Sequence, residues 1–350
     1  PVFLLPLSVV LLALVMMMER INGAARWMTF MGVQFQPSEV AKMAVIIVTA
    51  FILSKGQDED GASPKAFKRI MIITGIICLL IAPENLSTAA LLFGVVYLMM
   101  FIGRVAMKKL LILAGGLAGV AIIGVTFLVL TKNSDLPFLH RFDTWRARIE
   151  KFTNDNEVPA AKFDIDKDAQ IAHARIAVAT SHVVGKGPGN SVQRDFLSQA
   201  FSDFIFAIII EELGLIGGAF VVFLYVCLLI RVGRIAKKCE RTFPAFLIIG
   251  IALLLVSQAI FNMMVAVGLA PVTGQPLPLI SKGGTSTLIN CAYIGMILSV
   301  SRYTARLEEQ KEHDALIPMQ VEVPAEETNS DAQTAAEPTA KVLNSDAEFE

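Results

Sequence analysis

The sequence predicts an all-α polytopic membrane protein, a helical bundle with about eight transmembrane helices. Of its 350 residues, 55% are hydrophobic and only 17% are charged, whereas soluble domains have about 25% charged residues. The apolar runs approach the roughly 20 residues that a helix needs to cross a bilayer. They do not alternate apolar and polar residues as the strands of membrane barrels do. The net charge of −1 indicates no basic face, so we expect no nucleic-acid partner.

Eight apolar segments follow one another, each bounded by charged residues or by proline and glycine. We predict membrane helices at residues 1–18, 38–54, 67–82, 87–102, 110–130, 204–230, 244–268 and 285–301. Together they form one transmembrane domain over residues 1–305. Residues 306–350 form an acidic tail, which has ten acidic residues and one lysine from residue 312 onward, and we expect it to be disordered.

The distribution of Lys and Arg predicts the orientation of the bundle, because short cytoplasmic loops are enriched in these residues. With residue 1 inside, the short inner loops and the start of the tail contain 15 Lys and Arg residues, and the short outer loops contain three. The long loop 131–203 and the loop 271–284 are therefore predicted to be extracytoplasmic. The C-terminal tail is predicted to be cytoplasmic.

Charged residues in or beside the predicted spans are candidates for function, because burial in a membrane is costly for them. Glu39 and Lys42 lie three positions apart at the start of the second span and share a helix face. A self-neutralising structural pair is the alternative interpretation. Asp203 opens the sixth span, where the helix dipole favours an anion. Glu211 and Glu212 follow deeper in that span. Their structural alternatives are capping of a contact within the bundle and hydrogen bonding of a broken helix.

The predicted outer loops contain irregular backbone that a simple connector does not need. Residues 271–284 include three prolines and three glycines. Non-helical backbone near membrane depth is tolerated only where it is buried in protein or lines a cavity. We therefore predict a cavity open to the outer face, lined by carboxylates and by Arg26, Lys42 and Lys282. Such a cavity suits an amphiphile with a charged headgroup.

Six motifs in these segments resemble the SEDS family (shape, elongation, division and sporulation). They are NGAARW at 22–27, QPSEVAK at 36–42, PENLSTA at 83–89, GKGPGNSVQ at 185–193, DFIFAIIIEELGLIG at 203–217 and PVTGQPLPLISKGG at 271–284. The resemblance covers about residues 1–305 and is nearer to the cell-division members than to the elongation members. Family members have ten membrane helices, which implies that this chain begins at the third.

The resemblance implies an inverting peptidoglycan glycosyltransferase of the bacterial cytoplasmic (inner) membrane, active at the division septum. Lipid II is polymerised on the outer face: the 4-hydroxyl of an acceptor GlcNAc attacks C1 of the donor MurNAc and expels undecaprenyl pyrophosphate. The essential aspartate of the family falls on Asp203, the expected general base. The substrate-binding residues that we expect are Arg26, Glu39, Lys42, Lys186, Ser281 and Lys282. Glu211 and Glu212 are further intramembrane candidates.

The partners implied by the resemblance are lipid II, a class B penicillin-binding transpeptidase, other divisome proteins and membrane lipids. No cofactor is required by the sequence, although a divalent cation is compatible with it. The four cysteines form no C-x-x-C pair and the histidines lack metal-ligand spacing, so we predict no metal site from the residues themselves.

Several positions depart from the family pattern, and two alternative functions stay open. Residues 198–202, which include Gln199 and Phe201, lack the glutamate and histidine that are usual before the aspartate. Lys282 stands where the family usually has a tyrosine. Asn85 stands where many members have an aspartate. A lipid II flippase or transporter is one alternative, since charged residues within irregular helices also suit translocation. A non-catalytic division scaffold is the other, because of the altered residues before Asp203.

Overall fold

The computed structural model describes residues 3–17, 28–30, 33–58, 61–130, 165–197 and 200–321. In these ranges the chain forms nine α-helices, a short 3-10 turn at Gln193–Phe196 and two small antiparallel hairpins. The helices are α1 (Leu4–Met16), α2 (Pro37–Lys55), α3 (Pro64–Ile81), α4 (Leu86–Ile102), α5 (Met107–Leu130), α6 (Ile165–Ala179), α7 (Ile205–Lys238), α8 (Thr242–Ala266) and α9 (Gly284–Val321). The hairpins pair β1 (Met28–Phe30) with β2 (Val33–Phe35) and β3 (Gln57–Asp58) with β4 (Gly61–Ala62).

All eight predicted spans coincide with helices, namely α1 to α5 and α7 to α9. Among the described residues, five helices are long and apolar enough to cross a membrane: α2, α5, α7, α8 and α9. Helices α1 and α4 are apolar but shorter, and the first turns of α3 contain lysine and arginine. The helical membrane fold is confirmed, while the number of crossings stays a prediction.

Two features of the region before α7 differ from the sequence-based expectation. The loop predicted at 131–203 contains helix α6, in which Ala174 and Ala177 are buried three positions apart. Its first turns are polar, so the hydropathy pattern does not reveal it. Helix α7 begins at Ile205, so Asp203 lies in the preceding turn rather than opening the helix. Residues 131–164 and 198–199 lie outside the described residues.

Helices α2 and α8 lie at the centre of the main apolar core, where they pack against each other and against α4. Val45, Ile46 and Leu53 of α2 and Ile248 and Ile251 of α8 have no exposed surface. Helices that are apolar all round are either buried by other helices or covered by lipid. Helix α5 is of the second kind, since many of its large apolar side chains are exposed, including Leu111, Ile112, Val120, Ile122 and Ile123.

The loops of the bundle meet in two groups, one at each end of the helices. At one end Gln57 Nε2 donates to Gly103 O at 2.9 Å, and Ala62 N donates to Arg104 O at 3.2 Å. These loops belong to the predicted inner set. The predicted outer loops meet at the other end, where the loop 271–284 contacts the turn before α7. This grouping of the loops agrees with predicted spans that run in alternating directions. Which end of the bundle lies on the outer face of the membrane stays a prediction.

Residues Pro1–Ala305 form one compact unit, and the last described turns of α9, from Arg306, belong to a second. The predicted acidic tail lies outside the described residues from position 322 onward. Its disorder therefore stays a prediction.

Candidate active site

Asp203 lies in a turn at the end of the bundle where the predicted outer loops meet. Ser202 Oγ donates a hydrogen bond to Asp203 Oδ1 at 3.0 Å, and Asp203 is partly exposed. The next residue, Phe204, is only 2% exposed and packs into an apolar cluster with Ala174 of α6 and Val265 of α8. The aromatic ring therefore anchors the turn in the core, while Asp203 beside it stays partly exposed.

Hydrogen bonds from two other elements hold the backbone of this turn. Ser281 Oγ donates to Ser202 O at 2.6 Å, and Lys282 N donates to Phe201 O at 2.7 Å. Asn262 Nδ2, from α8, donates to Asp203 O at 2.8 Å. Three successive carbonyl groups are thus fixed, so the position of the Asp203 carboxylate depends on the loop 271–284 and on α8.

Two amide side chains on α8 connect this turn to the proline-containing loop. Asn262 Nδ2 also donates to Gln275 O at 2.7 Å, and Gln258 Nε2 donates to Pro276 O at 3.0 Å. Gln275 Nε2 in turn donates to Thr88 Oγ1 of α4 at 2.6 Å. Buried backbone carbonyls outside regular structure need such donors. The amides on α8 therefore stabilise irregular backbone at this depth.

Glu39 and Lys42 form the ion pair that their spacing predicts, with a distance of 2.7 Å between Lys42 Nζ and Glu39 Oε1. Lys42 has no exposed surface and Glu39 is 3% exposed. Lys42 Nζ also donates to Gln258 Oε1 at 3.0 Å. Since Gln258 lies one turn before Asn262 on α8, the pair lies about 6 Å along the helix from the residue that holds Asp203.

Glu211 and Lys186 belong to a separate cluster, farther along α7. The Glu211 carboxylate has no exposed surface and accepts a hydrogen bond from Lys186 Nζ at 2.6 Å. The neighbouring Glu212 is partly exposed, and its carboxylate forms no hydrogen bond or ion pair with any described residue. Helix α7 is broken nearby, at Gly214 (φ 73°, ψ −171°), so the contacts of Glu211 agree with its structural interpretation, hydrogen bonding at a broken helix.

The structure brings Asp203, Ser281 and Lys282 together and connects them to Glu39 and Lys42 through α8. Lys282 is exposed, and its ammonium group pairs with no described residue. The Ser281 hydroxyl donates to Ser202 O and accepts from Leu277 N at 2.7 Å, so it supports the turn. Lys186 and Glu211 lie in their own cluster. Arg26 lies outside the described residues.

Sequence reasoning missed the amide side chains. Gln258 and Asn262 lie four positions apart in a stretch of α8 that is apolar apart from Ser257, and polar residues at such spacing on one face are the signal that could have found them. Asn85 has a local function, because its Oδ1 accepts from Thr88 N at 3.2 Å and caps α4. Aspartate caps helices equally well, so the replacement is conservative.

The described part of the chain contains no group of three or more His, Cys, Asp or Glu residues that could hold a metal ion.

Comparison with known proteins connects this chain to a family. The family model of the FtsW, RodA and SpoVE type, described as "Cell cycle protein", matches residues 1–306. A protein of Geobacter sp. (strain M18) named probable peptidoglycan glycosyltransferase FtsW is 34% identical over 282 residues, which cover 80% of this chain and 72% of the relative. An FtsW of the same description from Enterococcus hirae is 30% identical over 286 residues, which cover 80% of this chain and 69% of the relative.

Solved structures show the same fold. A structure described as "Structural coordination of polymerization and crosslinking by a peptidoglycan synthase complex" matches with a TM-score of 0.66 and 26% identity, over 86% of this chain and 80% of the other. The rod shape determining protein RodA of Thermus thermophilus matches with a TM-score of 0.57 and 24% identity, over 85% of this chain and 76% of the other.

Proposed function

The chain belongs to the family of cell cycle proteins that includes FtsW, RodA and SpoVE, and from that premise we propose that it is a peptidoglycan glycosyltransferase that polymerises lipid II. The acceptor GlcNAc 4-hydroxyl attacks C1 of the donor MurNAc, and undecaprenyl pyrophosphate leaves with inversion at C1. The names of the FtsW relatives support this activity. The observation that carries it in this chain is the partly exposed Asp203 on a turn held by three hydrogen bonds.

Asp203 acts as the general base in this proposal. A sugar hydroxyl is a weak nucleophile at neutral pH, and a positioned carboxylate that accepts its proton contributes typically about 10²–10⁴-fold to the rate. The hydrogen bond from Ser202 Oγ to Asp203 Oδ1 at 3.0 Å orients the carboxylate. The carboxylate lies at the end of the bundle, where a lipid headgroup is accessible.

The hydrogen bonds around Asp203 support catalysis because a general base must lie within hydrogen-bond reach of the proton it removes. Ser281, Lys282 and Asn262 fix the carbonyl groups of the turn from two different elements. A misplacement of about 1 Å can reduce a rate by about 10²-fold. We therefore assign Asn262 and Ser281 a positioning function.

The pyrophosphate of the leaving lipid needs cations, because its negative charge develops in the transition state. Lys282 is exposed and adjoins the Asp203 turn through its backbone, so we assign it this contact, with Arg26 as a second cation. Lys42 is fully buried and bound to Glu39 and Gln258. Together with Glu39, it forms the base of the site below the headgroup.

A lipid II flippase would need a polar path from one end of the bundle to the other. Beyond Lys42, the buried residues of α2 are apolar except for Thr49, and Val45, Ile46, Ala50 and Leu53 have no exposed surface. The apolar packing below the site supports a transferase that works from one face. A carboxylate positioned as a base likewise supports catalysis over a non-catalytic scaffold.

Localisation and partners complete the proposal. The protein lies in the cytoplasmic membrane at the division septum, with the Asp203 end outside and the C-terminal tail inside. It acts with a class B penicillin-binding transpeptidase that cross-links the new glycan and with other divisome proteins. The solved complex whose description couples polymerization with crosslinking supports this partnership, and so does the long segment 131–203, which exceeds a simple connector.

Polymerisation of labelled lipid II by the purified protein tests the proposal. The full-length protein is reconstituted with and without its candidate transpeptidase, and the products are resolved by gel electrophoresis. We expect glycan strands, in larger amounts with the transpeptidase. Absence of polymer at saturating transpeptidase would contradict the proposed activity, while transfer of lipid II between the leaflets of a vesicle would favour the flippase.

A further inference from the structure

The Glu211 carboxylate is surrounded by donors that do not belong to its own helix. It has no exposed surface, and a buried carboxylate is costly unless ion pairing and hydrogen bonds compensate for its desolvation. Four donors surround it: Lys186 Nζ at 2.6 Å, Ser191 Oγ at 2.5 Å, Val192 N at 3.2 Å and Gln193 N at 3.3 Å. All four come from the segment 182–193, and we call Glu211 with these donors the Glu211 cluster.

The same segment completes the backbone of α7 where that helix is broken. Gly214 has φ 73° and ψ −171°, which interrupts the helix, and a break leaves carbonyl and N–H groups without partners in their own helix. The segment 182–193 supplies partners on both sides of the break. Its contacts are Lys186 N to Glu211 O at 3.0 Å, Gly187 N to Glu212 O at 2.8 Å, Leu215 N to His182 O at 3.3 Å and Ile216 N to Val183 O at 3.3 Å.

The close approach of segment and helix depends on two glycines. Gly185 and Gly214 both have positive φ, 79° and 73°, a conformation that residues with a side chain rarely adopt. A Cβ atom at Gly214 would lie 2.2 Å from Val183 O, and one at Gly185 would lie 2.4 Å from Glu212 O. The two backbones therefore touch directly, and the Glu211 side chain adds a polar connection beside that contact.

The part of α7 before the break connects this cluster to Asp203. From Ile205 to Glu211 the helix advances about 9 Å, with the Asp203 turn at its start and the Glu211 cluster near its end. The segment also leads toward Asp203 along the chain, through the 3-10 turn at Gln193–Phe196. Gln193 Oε1 contacts His173 Nδ1 of α6 at 2.6 Å, which fixes the path between the two sites.

We propose that Glu211 is a positioning residue for the transferase reaction. Its carboxylate binds the segment 182–193 to α7 and so fixes the first two turns of that helix, on which the orientation of Asp203 depends. Glu211 does not touch the substrate, because it is fully buried and all of its hydrogen bonds are made within the cluster. The inference rests on the proposed function, in which Asp203 is the base.

The test compares Glu211→Gln with Glu212→Gln, a matched control on the adjacent, partly exposed glutamate. Glutamine has nearly the same shape as glutamate, but it is uncharged, and an NH2 donor replaces one of the two carboxylate oxygens. We expect kcat for lipid II polymerisation to fall by about 10²-fold, the order that a misplacement of about 1 Å costs, with KM changed less than about threefold. The Glu212→Gln enzyme is expected to retain the kinetic constants of the wild type.

Hydrogen–deuterium exchange supplies a readout that does not depend on activity. In Glu211→Gln we expect faster exchange at the amides of Val192 and Gln193, which donate to the Glu211 carboxylate, and unchanged exchange in α2 and α8. A general loss of stability would instead raise exchange throughout the bundle. If Glu211→Gln does not fold, Ser191→Ala replaces it. This variant removes the hydrogen bond from Ser191 Oγ to Glu211 and the one that Ser191 Oγ accepts from Arg194 N, and it leaves no charge unpaired. The same local exchange and a smaller fall in kcat are expected.

A folded Glu211→Gln enzyme with the kcat of the wild type would overturn the inference, as would a rise in KM at unchanged kcat, which would place Glu211 in substrate binding. Increased exchange in α2 and α8 as well would also overturn it. A wild-type enzyme that makes no polymer would contradict the proposed function, and the positioning role with it. The two failures are distinguishable, because failure of the proposed function is seen in the wild-type enzyme, whereas failure of the positioning role is seen only in the variant.

Discussion

Two glutamate–lysine pairs of almost equal length lie in different surroundings. The distances between nitrogen and oxygen are 2.7 Å for Lys42–Glu39 and 2.6 Å for Lys186–Glu211. Glu39 and Lys42 come from one turn of α2, and their side chains are 5% and 0% exposed. Lys186 comes from a loop and its side chain is 31% exposed, whereas Glu211 is fully buried.

The two carboxylates depend on their lysines to different degrees. Glu211 also accepts hydrogen bonds from Ser191 Oγ and from two backbone N–H groups, so its charge is compensated without Lys186. Lys42 is enclosed in the core, and Glu39 neutralises it there. Removal of the lysine should therefore lower the free energy of unfolding strongly at the α2 pair and slightly at the α7 pair.

The largest effect on stability is expected from Lys42→Met. Methionine fills the space of the lysine stem but leaves the buried Glu39 without its counter-charge, and breaking a buried pair in this way costs about 3–5 kcal/mol. Thermal unfolding of the purified protein measures the loss. The double variant Glu39→Gln/Lys42→Met should recover most of it, and a Lys42→Met protein as stable as the wild type would show that Glu39 does not depend on the pair.

The next largest effect is expected from Gly214→Ala, which disturbs the Glu211 side of the comparison without touching α2. The substitution forces a side chain into a backbone conformation with φ 73° and places its Cβ against Val183 O, and strain of this kind costs about 1–3 kcal/mol. Unfolding experiments measure the loss. Alanine at Gly94, where an added Cβ meets nothing within 4 Å, is the matched control; equal stability of the two variants would contradict the close packing at the break.

The smallest effect is expected from Lys186→Met. The lysine is partly exposed and three other donors still hold Glu211, so the loss should be about 1 kcal/mol, within the range of a single hydrogen bond. The same unfolding measurement applies. A loss as large as that of Lys42→Met would remove the contrast between the two pairs.

The sequence predicts the parts of this structure that depend on local patterns. Hydropathy locates the eight apolar helices, and the spacing of three positions pairs Glu39 with Lys42. The identification of Asp203 needs the family motif, because one aspartate before an apolar run is also an ordinary helix-start residue. The hydropathy pattern does not predict helix α6, because polar residues dominate its first turns.

The contacts that position Asp203 could not be predicted, since they join residues far apart in the chain. Asn262 contacts the carbonyl of Asp203 across 59 positions, and Ser281 contacts that of Ser202 across 79. Neither side chain differs in type from the many Asn and Ser residues on helix surfaces. The burial of Lys42 also has no local signal, because the i, i+3 spacing is the same for an exposed pair.

Lipid II polymerisation by Asp203→Asn tests the central claim most directly. Asparagine is nearly isosteric and preserves the backbone carbonyl that Asn262 binds, but it cannot accept the proton of the acceptor hydroxyl. The account predicts that Asp203→Asn loses about 10²–10⁴-fold in polymerisation rate, with its thermal unfolding and its affinity for lipid II unchanged. A well-folded Asp203→Asn protein that polymerises lipid II at the wild-type rate would contradict the account.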